Sequence, residues 1–353
     1  MPKGTRPFWT ALLSILLAFL IGGIMILLNG DNPIMAYSTM LQRSVGSVSG
    51  LASTLAVATP YIFTGLSVAV AFRTGLDNIG SEGQLYMGAM AGALVGIYLK
   101  GFPAVLHILL AITAGVVAGG IWGWIFGWLK VKIKVDLVVT TIMGNYLAIL
   151  FTSYLANYPF KPPRAPIGST YFVVDSARLL RFFDFSTLNS GILVAILMLI
   201  LYHVFFNHTK TGFEWKTIGL NHFFARYIGM NVPRQKLWAM FISGGFAGMG
   251  GVIEVLGVQG RFVQNMSPGY GYDGILVALL AGNSAPGIFA VAILFAALRI
   301  GGIGVEQVTN VPSELSQVLR AVIILLVAAQ AGIFYFAKAR RKKQHDLGNT
   351  VRS

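Results

Sequence analysis

The sequence predicts an all-α polytopic membrane protein of about ten transmembrane helices, and three observations carry that expectation. Of its 353 residues, 56% are hydrophobic and only 11% are charged, far from the balance of a soluble domain. Apolar runs recur from residue 8 to residue 337, many of them near the roughly 20 residues a helix needs to cross a hydrocarbon core. The net charge of +14 sits at the ends of those runs, as the positive-inside rule describes. A nucleic-acid-binding surface would instead gather its basic residues on one folded face, so the basic balance points to membrane lipids and topology.

Hydropathy gives spans near 8–28, 49–72, 84–99, 104–129, 137–158, 188–206, 237–258, 268–281, 286–300 and 316–337. Lys3 and Arg6 precede the first span, Lys130, Lys132 and Lys134 follow the fourth, and Arg340, Arg341, Lys342 and Lys343 follow the last. The first run resembles a signal peptide, but residues 11–28 are long for one and no small-residue cleavage site precedes Asn29, Gly30 and Asp31, so it reads as an uncleaved span. Ten crossings leave both basic termini cytoplasmic. Trp122, Trp124 and Trp128, near the end of the fourth span, read as an interfacial belt.

The third, eighth and ninth segments are short, and short spans broken by Gly or Pro line transport pathways as discontinuous helices. Division after the fifth span would leave two halves of inverted topology. TGLDNIGSEGQLYMGAMAGA (74–93) and NMSPGYGYDGILVALLAG (265–282) each place a Gly-rich polar stretch before a small-residue helix. The general abundance of Gly and Ala in membrane helices gives the same echo without a repeat.

The chain as a whole, residues 1–353, reads as one transmembrane domain with three polar appendages. Segment 159–187, with prolines, aromatics and both charge signs, falls outside and suits docking of another protein. Segment 207–236 falls inside, is basic, and holds a short helix between Glu214 and Gly229 that is too polar to cross. Residues 338–353 form a basic cytoplasmic tail.

Bond chemistry has little foothold. No phosphate-binding G-x-x-x-x-G-K-[ST] loop occurs, so the chain cannot cradle ATP in that manner, and neither H-E-x-x-H nor G-x-S-x-G is present. The five histidines are scattered and cysteine is absent, which excludes thiolate metal sites and disulfides. Ionisable residues at membrane depth are costly and usually functional, which draws attention to Asp77, Asn78, Glu82 and Gln84 in the first polar break, Glu254 in the seventh span, and Tyr270, Tyr272 and Asp273 in the second break. These groups either line a polar passage and bond a hydroxylated substrate, or cap helices at the interface. Asn145 and Tyr146, following Thr140 and Thr141 in the fifth span, either join helices or face a cavity.

Two stretches, FRTGLDNIGSEGQLYMGAMAGA (72–93) and WKTIGLNHFFARYIGMNVPRQK (215–236), resemble the permease family of bacterial ATP-binding-cassette (ABC) importers that includes the ribose, galactose and branched-chain amino acid permeases. The form NIGSEGQ, Asn78 to Gln84, is most similar to the nucleoside permeases, and the resemblance covers residues 50 to 335. It implies a multi-pass protein of the bacterial cytoplasmic membrane that pairs with a second permease subunit, identical or different, and binds no cofactor itself. It also implies a cytoplasmic ABC ATPase that uses ATP and an extracytoplasmic substrate-binding lipoprotein.

In that family a Gly-x-Asn stretch followed by Ala-x-x-x-Gly forms the coupling helix that docks in the ATPase. The matching positions are Gly219, Asn221, Ala225 and Gly229, flanked by Glu214 and Arg226; His222, Phe223 and Phe224 depart from the family's usual small residues. The alternative for this segment is an interfacial amphipathic helix held by Arg226 and lipid headgroups. The resemblance implies nucleoside import by alternating access. Simple sugars or branched-chain amino acids are alternative cargoes, and an ion-coupled secondary transporter using Asp77, Glu82 and Glu254 is an alternative of another class.

Overall fold

In the computed structural model, which describes residues 17, 20–28, 30–308, 318 and 322, the apolar runs become helices and the described residues contain no β-strand beyond two isolated bridges. The helices after the first span are α1 (Pro33–Ser44), α2 (Val48–Arg73), α3 (Ser81–Tyr98), α4 (Ala104–Trp128) and α5 (Leu137–Asn157). After the irregular stretch 159–190 come α6 (Gly191–His208), α7 (Lys210–Leu220), α8 (His222–Tyr227), α9 (Val232–Ile253), α10 (Tyr270–Leu280) and α11 (Ala285–Glu306). Among the described residues, six stretches are long and apolar enough to cross a membrane: α2, α4 extended to Ile133, α5, α6, α9 extended to Gln259, and α11. The eighteen-residue α3 and the short α10 fall outside those six, matching the expected short third and eighth segments, whereas the ninth, also expected to be short, is the 22-residue α11. The expected last span lies almost wholly outside the described residues, as does the first half of the first span.

The chain divides into two compact units, residues 48–296 and the flanks 1–47 with 297–353. In the flanking unit α1 starts where Asn32 accepts the Ile34 N–H and Pro33 takes the first helical position, a combination that favours helix initiation. Hydropathy gave no sign of this helix. Gly301 and Gly304 of α11 lie against Met40 and Arg43 of α1.

In the larger unit, α2, α3 and α9 are the most enclosed helices, and α4, α5 and α6 are peripheral and apolar on their outer faces. The core of α3, α4 and α9 is closed by backbone-to-backbone contact. A Cβ on Gly88 would overlap Gly248, and one on Gly244 would overlap the Gly119 carbonyl. In lipid, helices gain little from hydrophobic burial against one another, so this closeness through small residues supplies the packing.

Three local expectations are revised. Lys130 and Lys132 lie on a π-helical extension, Leu129–Ile133, that continues α4 and ends at Lys134 with φ of 62°. Trp124 and Trp128 are exposed as a belt requires, but Trp122 turns onto the ring of Phe126 at 5.7 Å. The single helix between Glu214 and Gly229 is two helices, α7 and α8. Asn221 breaks them apart with extended backbone and accepts the N–H groups of Phe223 and Phe224, both at 3.0 Å.

Candidate functional site

The first polar break, between α2 and α3, is a buried knot of side-chain amides and hydroxyls. Asn78 donates to Ser243 of α9 at 2.9 Å and to Gln84 of α3 at 3.2 Å; its Oδ1 accepts the Gly80 N–H at 2.9 Å and the Gln84 amide at 3.3 Å. Ser243 donates in turn to the Ser67 carbonyl of α2 at 2.7 Å, and the Ser67 hydroxyl lies 3.0 Å from that of Ser81. From α5, Asn145 accepts the Gly83 N–H at 2.8 Å and donates to the Ile79 carbonyl at 2.9 Å, while Thr141 accepts the Ile79 N–H at 3.3 Å. Each buried amide is bonded on both its donor and its acceptor side, which removes the cost of burying it.

The second polar break meets the first. Glu82, in the first turn of α3, accepts the Gly271 N–H of α10 at 2.6 Å, and a Cβ on Gly271 would overlap the Glu82 backbone. Ser267 caps α10 by accepting the Gly269 and Tyr270 N–H groups at 3.2 and 3.0 Å, and its own N–H donates to the Tyr86 hydroxyl at 3.2 Å. Tyr61 of α2 donates to Asp273 at 2.9 Å and meets Tyr270 edge-on at 5.2 Å. Two helix N-termini, of α3 and α10, thus converge with the Glu82 carboxyl group between them.

Counted from the helix ends beside loop 207–236, the knot lies six residues into α2 and eleven into α9, about 9 and 16 Å at 1.5 Å per residue.

Of the nine residues expected along the pathway, Asn78, Glu82, Gln84, Asn145, Glu254 and Tyr270 are buried, Asp273 is half-buried, and Asp77 and Tyr272 reach the surface. The breaks bring together all but Glu254. That residue follows Ser243 by eleven positions along α9, accepts from Gln259 at 3.4 Å, and belongs to the opposite end. The Tyr272 hydroxyl stands 3.5 Å from the Asn145 amide, so the exposed ring is connected to the knot. Ser67, Ser243, Tyr61 and Tyr86 escaped the sequence reading, because a lone hydroxyl in an apolar run carries no pattern; Thr141 was noted there beside Asn145.

Loop 207–236 forms the second candidate surface. Ala225 is buried with Ile218, Val232 and Met230, Glu214 accepts from Gln235 at 2.7 Å, and Gly229, at φ of 85°, closes α8. Gly219 packs within the chain: a Cβ there would overlap the Arg73 carbonyl. Arg226 is exposed in the last turn of α8, beside an outward apolar face of Leu220, Phe223, Phe224, Tyr227 and Ile228. Burial, and then the neighbouring Arg73 charge, lowers the Lys216 ammonium from the usual lysine value.

The family described as branched-chain amino acid transport system / permease component matches residues 50–328. The chain belongs to this family. The permease is 38% identical to the guanosine ABC transporter permease protein NupP of Bacillus subtilis over 97% of its own length and 99% of that protein's. It is 34% identical to the nucleoside ABC transporter permease protein NupB of Lactococcus lactis, over 94% and 93% of the two chains. It is 33% identical to the glucose ABC transporter permease protein TsgB13 of Haloferax volcanii, over 92% and 89%. No solved structure matches it. As a permease component with several membrane-crossing helices it is a multi-pass protein of the cytoplasmic membrane.

Proposed function

We propose that this permease imports nucleosides as one of two permease subunits of an ABC importer. The observation that carries the cargo is end-to-end similarity to permeases named for guanosine and for nucleosides. A sugar cargo is the second reading, favoured by the similar coverage of the glucose permease.

Ten crossings with cytoplasmic termini complete the topology. They put loop 207–236 inside, together with Lys130, Lys132, Lys134, Lys210 and Arg234, as the positive-inside rule favours. The exposed face of Leu220, Phe223, Phe224, Tyr227 and Ile228 docks in a separate ATPase that binds ATP, since an apolar cluster of this size on a polar loop marks an interface. Segment 159–187, outside, receives a substrate-binding lipoprotein.

Between these surfaces, closure of the ATPase moves the cytoplasmic loop and switches the side to which the pathway opens. Asp77, Tyr272 and Asp273 meet the passing nucleoside: the acids accept its ribose hydroxyls and the Tyr272 ring stacks on its base. Asn78, Glu82, Gln84 and Asn145 hold the two breaks in place behind them. Inverted-topology halves would account for two similar polar breaks meeting N-terminus to N-terminus.

The test is uptake of labelled guanosine, uridine, ribose, glucose and leucine by cells with and without this chain, each with and without an ion uncoupler, with ATP maintained by fermentable carbon. Loss of nucleoside uptake alone, insensitive to the uncoupler, is the expected result. Loss of sugar uptake would transfer the mechanism to the other cargo, and uncoupler-sensitive uptake would give the function to an ion-coupled carrier.

A further inference from the structure

Two pieces of chain join loop 207–236 to the polar knot: α9, which starts in the loop and carries Ser243, and the end of α2 with the turn after it. Gly219, in the last turn of α7, lies directly on the second piece: beyond the Arg73 carbonyl, its Cβ would come 3.1 Å from the Gly75 nitrogen, and a Cβ on Gly75 would come 3.2 Å from Gly219 Cα. No side chain separates the two backbones, so a displacement of α7 has no flexible group in which to dissipate. The turn itself is stiff. Gly75 has φ of 69°, Gly75 N–H bonds the Phe72 carbonyl at 3.1 Å, Leu76 N–H bonds Ala71 at 3.0 Å, and Leu76 is buried. Three residues after Gly75 comes Asn78, the hub of the knot.

The Arg73 side chain fixes this piece from the other side. Its guanidinium lies over the rings of Phe206, at 4.9 Å, and Tyr202, at 5.5 Å, both on α6. Trp215 of α7 is buried beside them, edge-on to Phe205 at 5.1 Å and to Phe206 at 6.2 Å, and donates to Gln235 of α9 at 2.8 Å. A cation at a helix end that served only as an anchor would reach for lipid headgroups; this one is held over aromatic faces, where the attraction grows as water is excluded. Lys216 of α7 also feels the Arg73 charge.

We propose that Arg73 and Gly75 are the positioning residues of the relay through which movement of the cytoplasmic loop reaches the knot of Asn78. The relay rests on the importer reading above and names the receiving element within the permease.

The test uses the complete complex of permease, ATPase and binding lipoprotein in proteoliposomes, measuring assembly, basal ATP hydrolysis, hydrolysis stimulated by nucleoside-loaded lipoprotein, and nucleoside uptake. Arg73→Gln keeps a long polar side chain and removes the cation. The relay expects normal assembly and basal hydrolysis, with stimulated hydrolysis and uptake reduced about tenfold, the worth of a half-buried cation–ring contact. Arg73→Lys, which retains the cation, should recover most of both. Equal stimulation and uptake in wild type and Arg73→Gln would overturn the relay while leaving the importer reading intact; a wild-type complex that moves no nucleoside would overturn the importer reading first. Should Arg73→Gln fail to assemble, Phe206→Leu tests the same contact from the ring side. Failure of assembly in both would assign the contact to folding and overturn the proposal.

Discussion

The two connections at opposite ends of the larger unit are built in contrasting ways. Residues 159–190 contain no α-helix, yet they are stitched down by backbone bonds: Thr170 N–H to the Phe262 carbonyl, Val173 to Gly260, Val174 to Gly96, Leu179 to Leu256, each near 3 Å. Loop 207–236 is helical, and it is held instead by one buried ring and two glycine contacts: Trp215 on Phe205 and Phe206, Gly212 on Phe205 and Gly219 on Arg73. The first behaves as a rim fixed to the ends of α3 and α9. The second is a unit with its own small core, which the importer reading makes the lever. Distributed backbone bonding resists any single substitution, whereas a lever fails at its fulcrum.

The contrast can be broken at four points, the two largest effects on uptake first. Gly219→Asp should abolish uptake, because its Cβ and carboxylate displace α7 from the end of α2; this locates the damage inside the permease, not in the groove of the ATPase. Paired substitution of Phe223 and Tyr227 by Ser should lower uptake and ATPase retention in pull-down at least about tenfold, yet shift unfolding by no more than about 0.5 kcal/mol, because both rings face outward. Thr170→Val, on the outer rim, removes a buried hydroxyl that accepts the Phe262 N–H at 3.1 Å, and should cost about 1–2 kcal/mol in detergent unfolding with transport per folded molecule unchanged. Asn221→Ala, losing the cap of α8, should cost about 1 kcal/mol and reduce uptake severalfold, with Asn221→Ser restoring most of it. If the Thr170 variant impaired transport more than the Asn221 variant did, the assignment of rim and lever would be reversed.

Much of this architecture is legible in the sequence. Hydropathy locates the long helices because lipid demands unbroken apolar runs, and the shortness of the third and eighth segments foretells α3 and α10. Asn221 and Gly229 carry helix-boundary signals that composition makes visible, but the break at Asn221 between α7 and α8 rests on its extended backbone, which the residue types alone do not dictate. The residues that join distant segments are less legible. Ser67 and Ser243 lie 176 positions apart, and nothing in either apolar run marks them as partners. Arg73 reads as an ordinary basic helix end, since the rings that receive it are more than a hundred residues away. Asn78, Gln84 and Asn145 were recognisable as costly in a membrane; only their mutual bonding shows that they support the breaks, with Asp77 and Tyr272 left at the surface.

The importer reading is tested most directly in proteoliposomes containing the permease complex, ATP on the ATPase side, labelled guanosine with the lipoprotein on the other, and no ion gradient. ATP-dependent accumulation of guanosine, lost when the ATPase is omitted and not competed by ribose or leucine, is the expected result. Transport by the permease alone down an imposed ion gradient, with no requirement for ATP, would contradict it.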